Sequence, residues 1–186
     1  MEHFRSGVLA AQFIETPLGT MIVAASDRGV RLVEFADPEP GRALETVAAR
    51  TNAVMTPGPN EHTAAACAQL GEYFAGGRRA FDLPLDLAGS EFQLAVWGAL
   101  LEIPFGQTLS YGALARNLGR AGSARAVGRA NGLNPVAVVV PCHRVIQSDG
   151  ALCGYGGGPW RKQWLLEHEG VRLAGAEHEA PLFAAR

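Results

Sequence analysis

The sequence predicts an α/β N-terminal part followed by a mainly helical C-terminal part that carries a helix-turn-helix. Three observations predict it. Three apolar, β-branched runs at hairpin spacing fill the first 36 residues. From Gly89 onward the texture changes to short helices with clear caps. Two of those helices are joined by a tight turn holding Gly119 and Gly122. The boundaries fall at residues 1–88 and 89–175, with a flexible tail over 176–186.

The elements follow in order. VLAAQFI, TMIVAAS and VRLVEFA read as strands, separated by the turn residues of T-P-L-G and D-R-G. Gly41 to Arg50 is a polar, alanine-rich helix, and TNAVMTPGPNEH a short strand or loop. His62 to Phe74 is a helix with Ala66, Leu70 and Tyr73/Phe74 on one face, ended by Gly76-Gly77. AFDLPLDL alternates like a strand until Pro84 demotes it to an edge or a coil. Nothing in residues 1–88 has a catalytic signature. Ser90 with Gln93 forms a capping box that opens a helix ending near Ile103-Pro104. Ser110 caps the next helix, which Gly119 closes. Ser123 caps a third, SARAVGRANG, with Arg125 and Arg129 four apart on one face and small residues elsewhere. Val136 to Val140 reads as a buried strand that Pro141 breaks.

Composition excludes several classes. With 48% hydrophobic and 18% charged residues in 186, the chain folds around a core of its own. Its longest apolar run is far short of a membrane span, and MEHFRSGVLAAQ lacks the apolar stretch of a signal peptide. Three cysteines with no C-x-x-C argue against disulfides and thiolate zinc, giving a cytoplasmic protein without metal or cofactor. The net charge of −2 is uneven. Residues 104–166 hold seven basic side chains (Arg116, Arg120, Arg125, Arg129, Arg144, Arg161, Lys162) against Asp149 alone. Such a block points either to a polyanionic partner or to a solvated surface on which charges happen to cluster.

Cys142 follows the Pro141 break and precedes His143 and Arg144. Positive neighbours lower a thiol pKa and an imidazole can take its proton, so this is where a reactive cysteine belongs. Cys67, in an alanine-rich helix, reads as a small core residue, and Cys153 stays open in its glycine-rich loop.

PCHRVI, preceded by Asn134-Pro135 and followed by GALCGYGGG and W-L-L-x-H-E-G, closely resembles the O6-alkylguanine-DNA alkyltransferases, the methylated-DNA–protein-cysteine S-methyltransferases. The resemblance runs from about Phe92 to Gly170. It implies a ribonuclease-H-like α/β N-terminal domain and a helical DNA-binding domain. It implies single-turnover transfer of a methyl or alkyl group from O6-alkylguanine, and from O4-alkylthymine, in double-stranded DNA to Cys142. His143 resembles the family's water-linked base and Glu169 the carboxylate that orients it. Asn134 matches the hinge asparagine, and Tyr111 the tyrosine that pushes the target phosphate. Arg125 matches the arginine that fills the gap of the flipped base, with Arg116 and Arg129 beside it on DNA. Tyr155, Gly156, Gly157 and Val145 match the guanine pocket, where the glycine triplet suggests room for larger alkyl groups. A monomer in solution is expected. Two other readings compete: an alkyltransferase-like lesion binder without chemistry, whose pattern replaces this cysteine, and an unrelated helix-turn-helix regulator.

Overall fold

The structure, a computed structural model, describes residues 7–36, 40–51 and 53–172. The tail over 176–186 lies outside the described residues. The three N-terminal runs form β1 (Val8–Thr16), β2 (Gly19–Ala25) and β3 (Val30–Phe35), an antiparallel meander. β4 (Val54–Pro57) lies parallel to β1, giving the order β3-β2-β1-β4. The first turn closes when Thr16 Oγ1 donates to Gly19 O, 2.6 Å away, and accepts from Leu18 N at 3.1 Å. The second needs Gly29, at φ +151°, because a Cβ there would stand 2.4 Å from Pro84 O. That contact belongs to the bridge between Val30 and Leu85, the single ladder step in the segment that Pro84 keeps from being a strand.

Alternate residues of β2 serve two cores. Ile22 and Ala24 pack with Leu9, Leu32 and Val47 of α1 (Pro40–Thr51). Met21 and Val23 face Ala66 and Leu70 of α2 (Glu61–Phe74). The period of two along a strand thus sends one set to each layer. The α2 side is continuous with the core of the C-terminal helices, through Tyr73, Trp97, Leu100, Val136 and Leu165.

Next come α3 (Glu91–Leu101), α4 (Tyr111–Asn117), α5 (Ala124–Gly132) and α6 (Pro159–His168). The Ser90–Gln93 capping box forms as the sequence predicts, and Ser110 accepts from Ala113 N at 3.1 Å. Ser123 stands at the start of α5, but its side chain makes no cap hydrogen bond. Gly119 and Gly122 turn between α4 and α5 at φ +67° and +86°, where a Cβ would be strained. Trp97 Nε1 donates to Ala130 O at 2.9 Å and fixes α5 on α3. No helix among the described residues is long and apolar enough to cross a membrane.

One sequence expectation fails here. Val136 to Val140 is buried but is not a strand: only Val136 bridges, to Val33. Val33 N donates to Pro135 O at 2.9 Å and Ala137 N to Val33 O at 2.8 Å. Beyond that the chain coils. Val139 N donates to Ala137 O across Val138, which sits at φ +71°, and Val140 N donates to Val136 O. A β-branched residue there costs about 1–3 kcal/mol and persists only where its surroundings enforce it. An apolar run signals burial; the backbone took tight turns because Asn134, described next, offers those turns side-chain partners.

Candidate active site

Asn134 staples the coiled segment. Its Oδ1 accepts from Val136 N at 3.0 Å, and its Nδ2 donates to Val140 O at 2.8 Å and Val136 O at 3.4 Å. Cys142 N donates back to Val140 O at 2.8 Å across Pro141, at φ −83° and ψ 62°, an inverse γ-turn. The chain then enters a single 3-10 turn, Cys142–Arg144, and β6 (Val145–Ile146) pairs in parallel with β5 (Leu109–Ser110). Cys142 is 7% exposed and lines a cavity of about 430 Å³.

Behind the cysteine lies a buried polar cluster. His143 Nε2 is 2.9 Å from Glu169 Oε1 and Arg144 Nε donates to Glu169 Oε2 at 2.8 Å. Arg144 Nη2 reaches Oε1 and Nη1 reaches Ile103 O. Tyr73 Oη donates to Glu169 Oε1 at 2.9 Å, and Gly106 N to Oε2 at 3.1 Å. Burial by itself would push the Glu169 carboxyl up. The hydrogen bonds from His143 and Arg144 outweigh it and hold Glu169 at about 2, so it is a carboxylate. Burial pushes His143 below its ordinary value, leaving a neutral imidazole. With Nε2–H donating to Glu169, Nδ1 carries the lone pair, and it is buried without a partner among the described residues. Burial also raises the Cys142 thiol, against the pull of the Asn134 side chain and the Lys162 charge. The resting sulfur is therefore protonated, and a base must take its proton before it attacks.

Lys162 is wholly buried, donating to Val145 O at 2.6 Å and Cys153 O at 3.4 Å. Cys153 Sγ lies 3.2 Å from Tyr111 Oη, which takes Cys153 from an open question to a neighbour of the site. Burial raises Tyr111 and Tyr155 above their ordinary values, so both hydroxyls keep their protons. Tyr155, Gly156 and Gly157 line the cavity with Asn131, Asn134 and Cys142. Val145 does not: it is fully buried behind the cavity wall, paired with Leu109. Arg116, Arg125 and Arg129 are exposed on α4 and α5.

Sequence reasoning missed four contributors. The charge block leaves a polyanionic partner and a solvated surface open, and Arg144 fits neither: like Arg161 and Lys162 it is buried. Asn131 holds Cys142 O through Nδ2 at 3.3 Å and keeps an unpartnered buried Oδ1 among the described residues. Tyr73 and Phe35 come from the part in which no catalytic signature was found. Arg144, directly after Cys142-His143, has a local signal; the other three need the fold.

Two family profiles match the chain: the 6-O-methylguanine DNA methyltransferase ribonuclease-like domain over residues 9–87, and the DNA binding domain of the same family over 91–171. The chain belongs to the 6-O-methylguanine DNA methyltransferase family. A methylated-DNA–protein-cysteine methyltransferase of Mycolicibacterium paratuberculosis is 48% identical over 158 residues, 84% of this chain and 89% of that protein. Its counterpart in Mycobacterium bovis is 45% identical over 92% of this chain and 94% of that protein. The crystal structure of Mycobacterium tuberculosis O6-methylguanine methyltransferase superposes with a TM-score of 0.75 at 42% identity, covering 90% of this chain and 96% of that one. The Mycobacterium tuberculosis protein in complex with DNA gives 0.74 at 42% identity, covering 87% and 92%. As a 6-O-methylguanine DNA methyltransferase the chain joins a ribonuclease-like sheet domain to a helical DNA-binding domain.

Proposed function

We propose that this protein repairs DNA by moving a methyl or larger alkyl group from O6-alkylguanine, or O4-alkylthymine, in duplex DNA to Cys142 Sγ, once and irreversibly. The observation that carries the proposal is the joining of a cavity-lining thiol to a buried His143–Glu169–Arg144 cluster by a single turn of chain. His143 Nδ1, directly or through water, takes the thiol proton while Glu169 holds the ring. The sulfur then forms a bond to the alkyl carbon as the C–O6 bond breaks, and the electron pair goes to guanine O6. The base regains a proton from the His143 imidazolium through water, which returns His143 to neutral, while the Tyr111 and Tyr155 hydroxyls keep their own protons and offer hydrogen bonds to the departing base. A thioether cannot be reversed by any group at the site, so one molecule serves one lesion.

The target atom lies inside the base stack, so the nucleotide must be flipped out. The exposed Arg125 on α5 fills the gap, while Arg116 and Arg129 meet phosphates. The protein is proposed to act as a monomer. The test is intact mass after mixing with O6-methylguanine duplex. A gain of one methyl, abolished by Cys142→Ala and kept by Cys67→Ala and Cys153→Ala, is expected. Binding without mass gain would instead support lesion recognition without chemistry, and loss through Cys153→Ala would move the nucleophile.

A further inference from the structure

One wall of the Cys142 cavity comes from the N-terminal sheet. The end of β3 supplies Val33, Glu34 and Phe35, facing the loop that carries Tyr155, Gly156 and Gly157. The two glycines are not equivalent. A Cβ on Gly156 would meet nothing within 4 Å, whereas a Cβ on Gly157 would stand 2.6 Å and 2.8 Å from Phe35 Cδ2 and Cε2. The room that the glycine triplet suggests in the sequence is therefore filled, at Gly157, by the Phe35 ring. The buried Arg161 holds that ring. Its guanidinium carbon is 4.1 Å from the Phe35 ring centre and 4.7 Å from that of Trp160. Its Nε donates to Leu18 O at 2.8 Å, in the turn between β1 and β2, and its Nη1 to Gly157 O at 2.9 Å. Arginine over an aromatic face is attractive, and most so when desolvated. The loop and the sheet are thus clamped together along one wall of the cavity.

We infer that Phe35, seated by Arg161 against Gly157, sets the upper size of the alkyl group that the cavity admits: small alkyl groups fit beside the ring, and benzyl-sized groups are excluded by it. This rests on the alkyl-transfer reading above. A rigid wall discriminates by bulk because a close-packed contact cannot yield without displacing its neighbours. Phe35 is a specificity residue, and Arg161 and Gly157 are positioning residues acting through it.

The experiment measures single-turnover rates with O6-methylguanine and O6-benzylguanine in the same duplex, per active molecule, for the wild type, Phe35→Ala and the milder Phe35→Leu. The benzyl-to-methyl rate ratio should rise on the order of tenfold in Phe35→Ala and by less in Phe35→Leu. A ratio is insensitive to the fraction of protein that folds, and Phe35→Leu carries the test if Phe35→Ala does not fold. Gly157→Ala should slow methyl transfer, and adding Phe35→Ala should restore part of it, because the closest contacts at 2.6 and 2.8 Å are then gone and only Tyr155 Cε1, at 3.0 Å, has to give. An unchanged ratio, a falling ratio or a failed rescue overturns the role of Phe35. A wild type that transfers methyl with the ratio unmoved by Phe35 substitution defeats this inference alone. A wild type that transfers no methyl defeats the functional reading with it.

Discussion

The seven basic residues of the 104–166 block meet two opposite fates. Arg116, Arg120, Arg125 and Arg129 stand exposed on the helix-turn-helix, while Arg144, Arg161 and Lys162 are buried around the cavity. Each buried cation is satisfied by acceptors that lie far away in sequence: Glu169 and Ile103 O for Arg144, Leu18 O for Arg161, Val145 O for Lys162. Charge counted along a chain therefore overstates what a partner meets. In the proposed function the exposed group steers DNA, and the buried one organises the thiol, its base and the pocket loop.

The largest expected effect that sharpens this contrast is on stability. Arg144→Met strips Glu169 of its buried counter-charge and should cost about 3–5 kcal/mol in urea unfolding, against about 0.5 kcal/mol or less for Arg129→Ala. Similar losses for the two would erase the distinction. Acid unfolding should show the same cluster. His143 is held below its ordinary 6.5 and Glu169 below 4.5, at about 2. Both depressed values mean that the unfolded chain binds protons first. Stability is thus expected to fall as pH drops through 6.5, and again between 4.5 and 2. In Glu169→Gln the lower step should vanish from a stability profile against pH.

Next in size is the rate. Glu169→Gln should slow methyl transfer roughly 100-fold, with duplex affinity nearly unchanged, since Glu169 acts through His143. Equal losses of rate and affinity would remove that role. On the exposed side, Arg125→Ala should slow transfer from duplex on the order of tenfold, because the flipped state loses its filler, and do much less with free O6-methylguanine base. An equal loss on both substrates would place Arg125 in the pocket or the fold. The smallest effect is for Arg129→Ala, which should weaken binding to any sequence and reduce the salt slope by about 1.

Legibility followed locality. The Ser90–Gln93 box, the Ser110 cap and the Gly119–Gly122 turn were readable because each is written within a few residues. Cys142 and His143 are marked by the Pro141 break and by each other, whereas Asn134 came only with the family resemblance. The Val136–Val140 run misled because burial and strand look alike over five apolar residues, and Asn134 had already claimed the carbonyls of Val136 and Val140. Tyr73 and Phe35 carry no local mark at all. They are an ordinary helix-face aromatic and strand-end aromatic until Glu169 and Gly157 are brought to them.

The pair of hydrogen bonds across Val33 has a consequence for how the molecule is assembled. Val33 N and O hold Pro135 and Ala137, so the turn that presents Cys142 hangs on the free edge of β3. The meander closes by local hairpins, whereas that docking closes a loop of roughly 100 residues at a much higher entropic cost. The reactive thiol consequently has no seat until the sheet has formed. Competence is therefore expected late, with the long-range contacts, and protection of the Val33 and Ala137 amides from hydrogen exchange during refolding measures when it arrives.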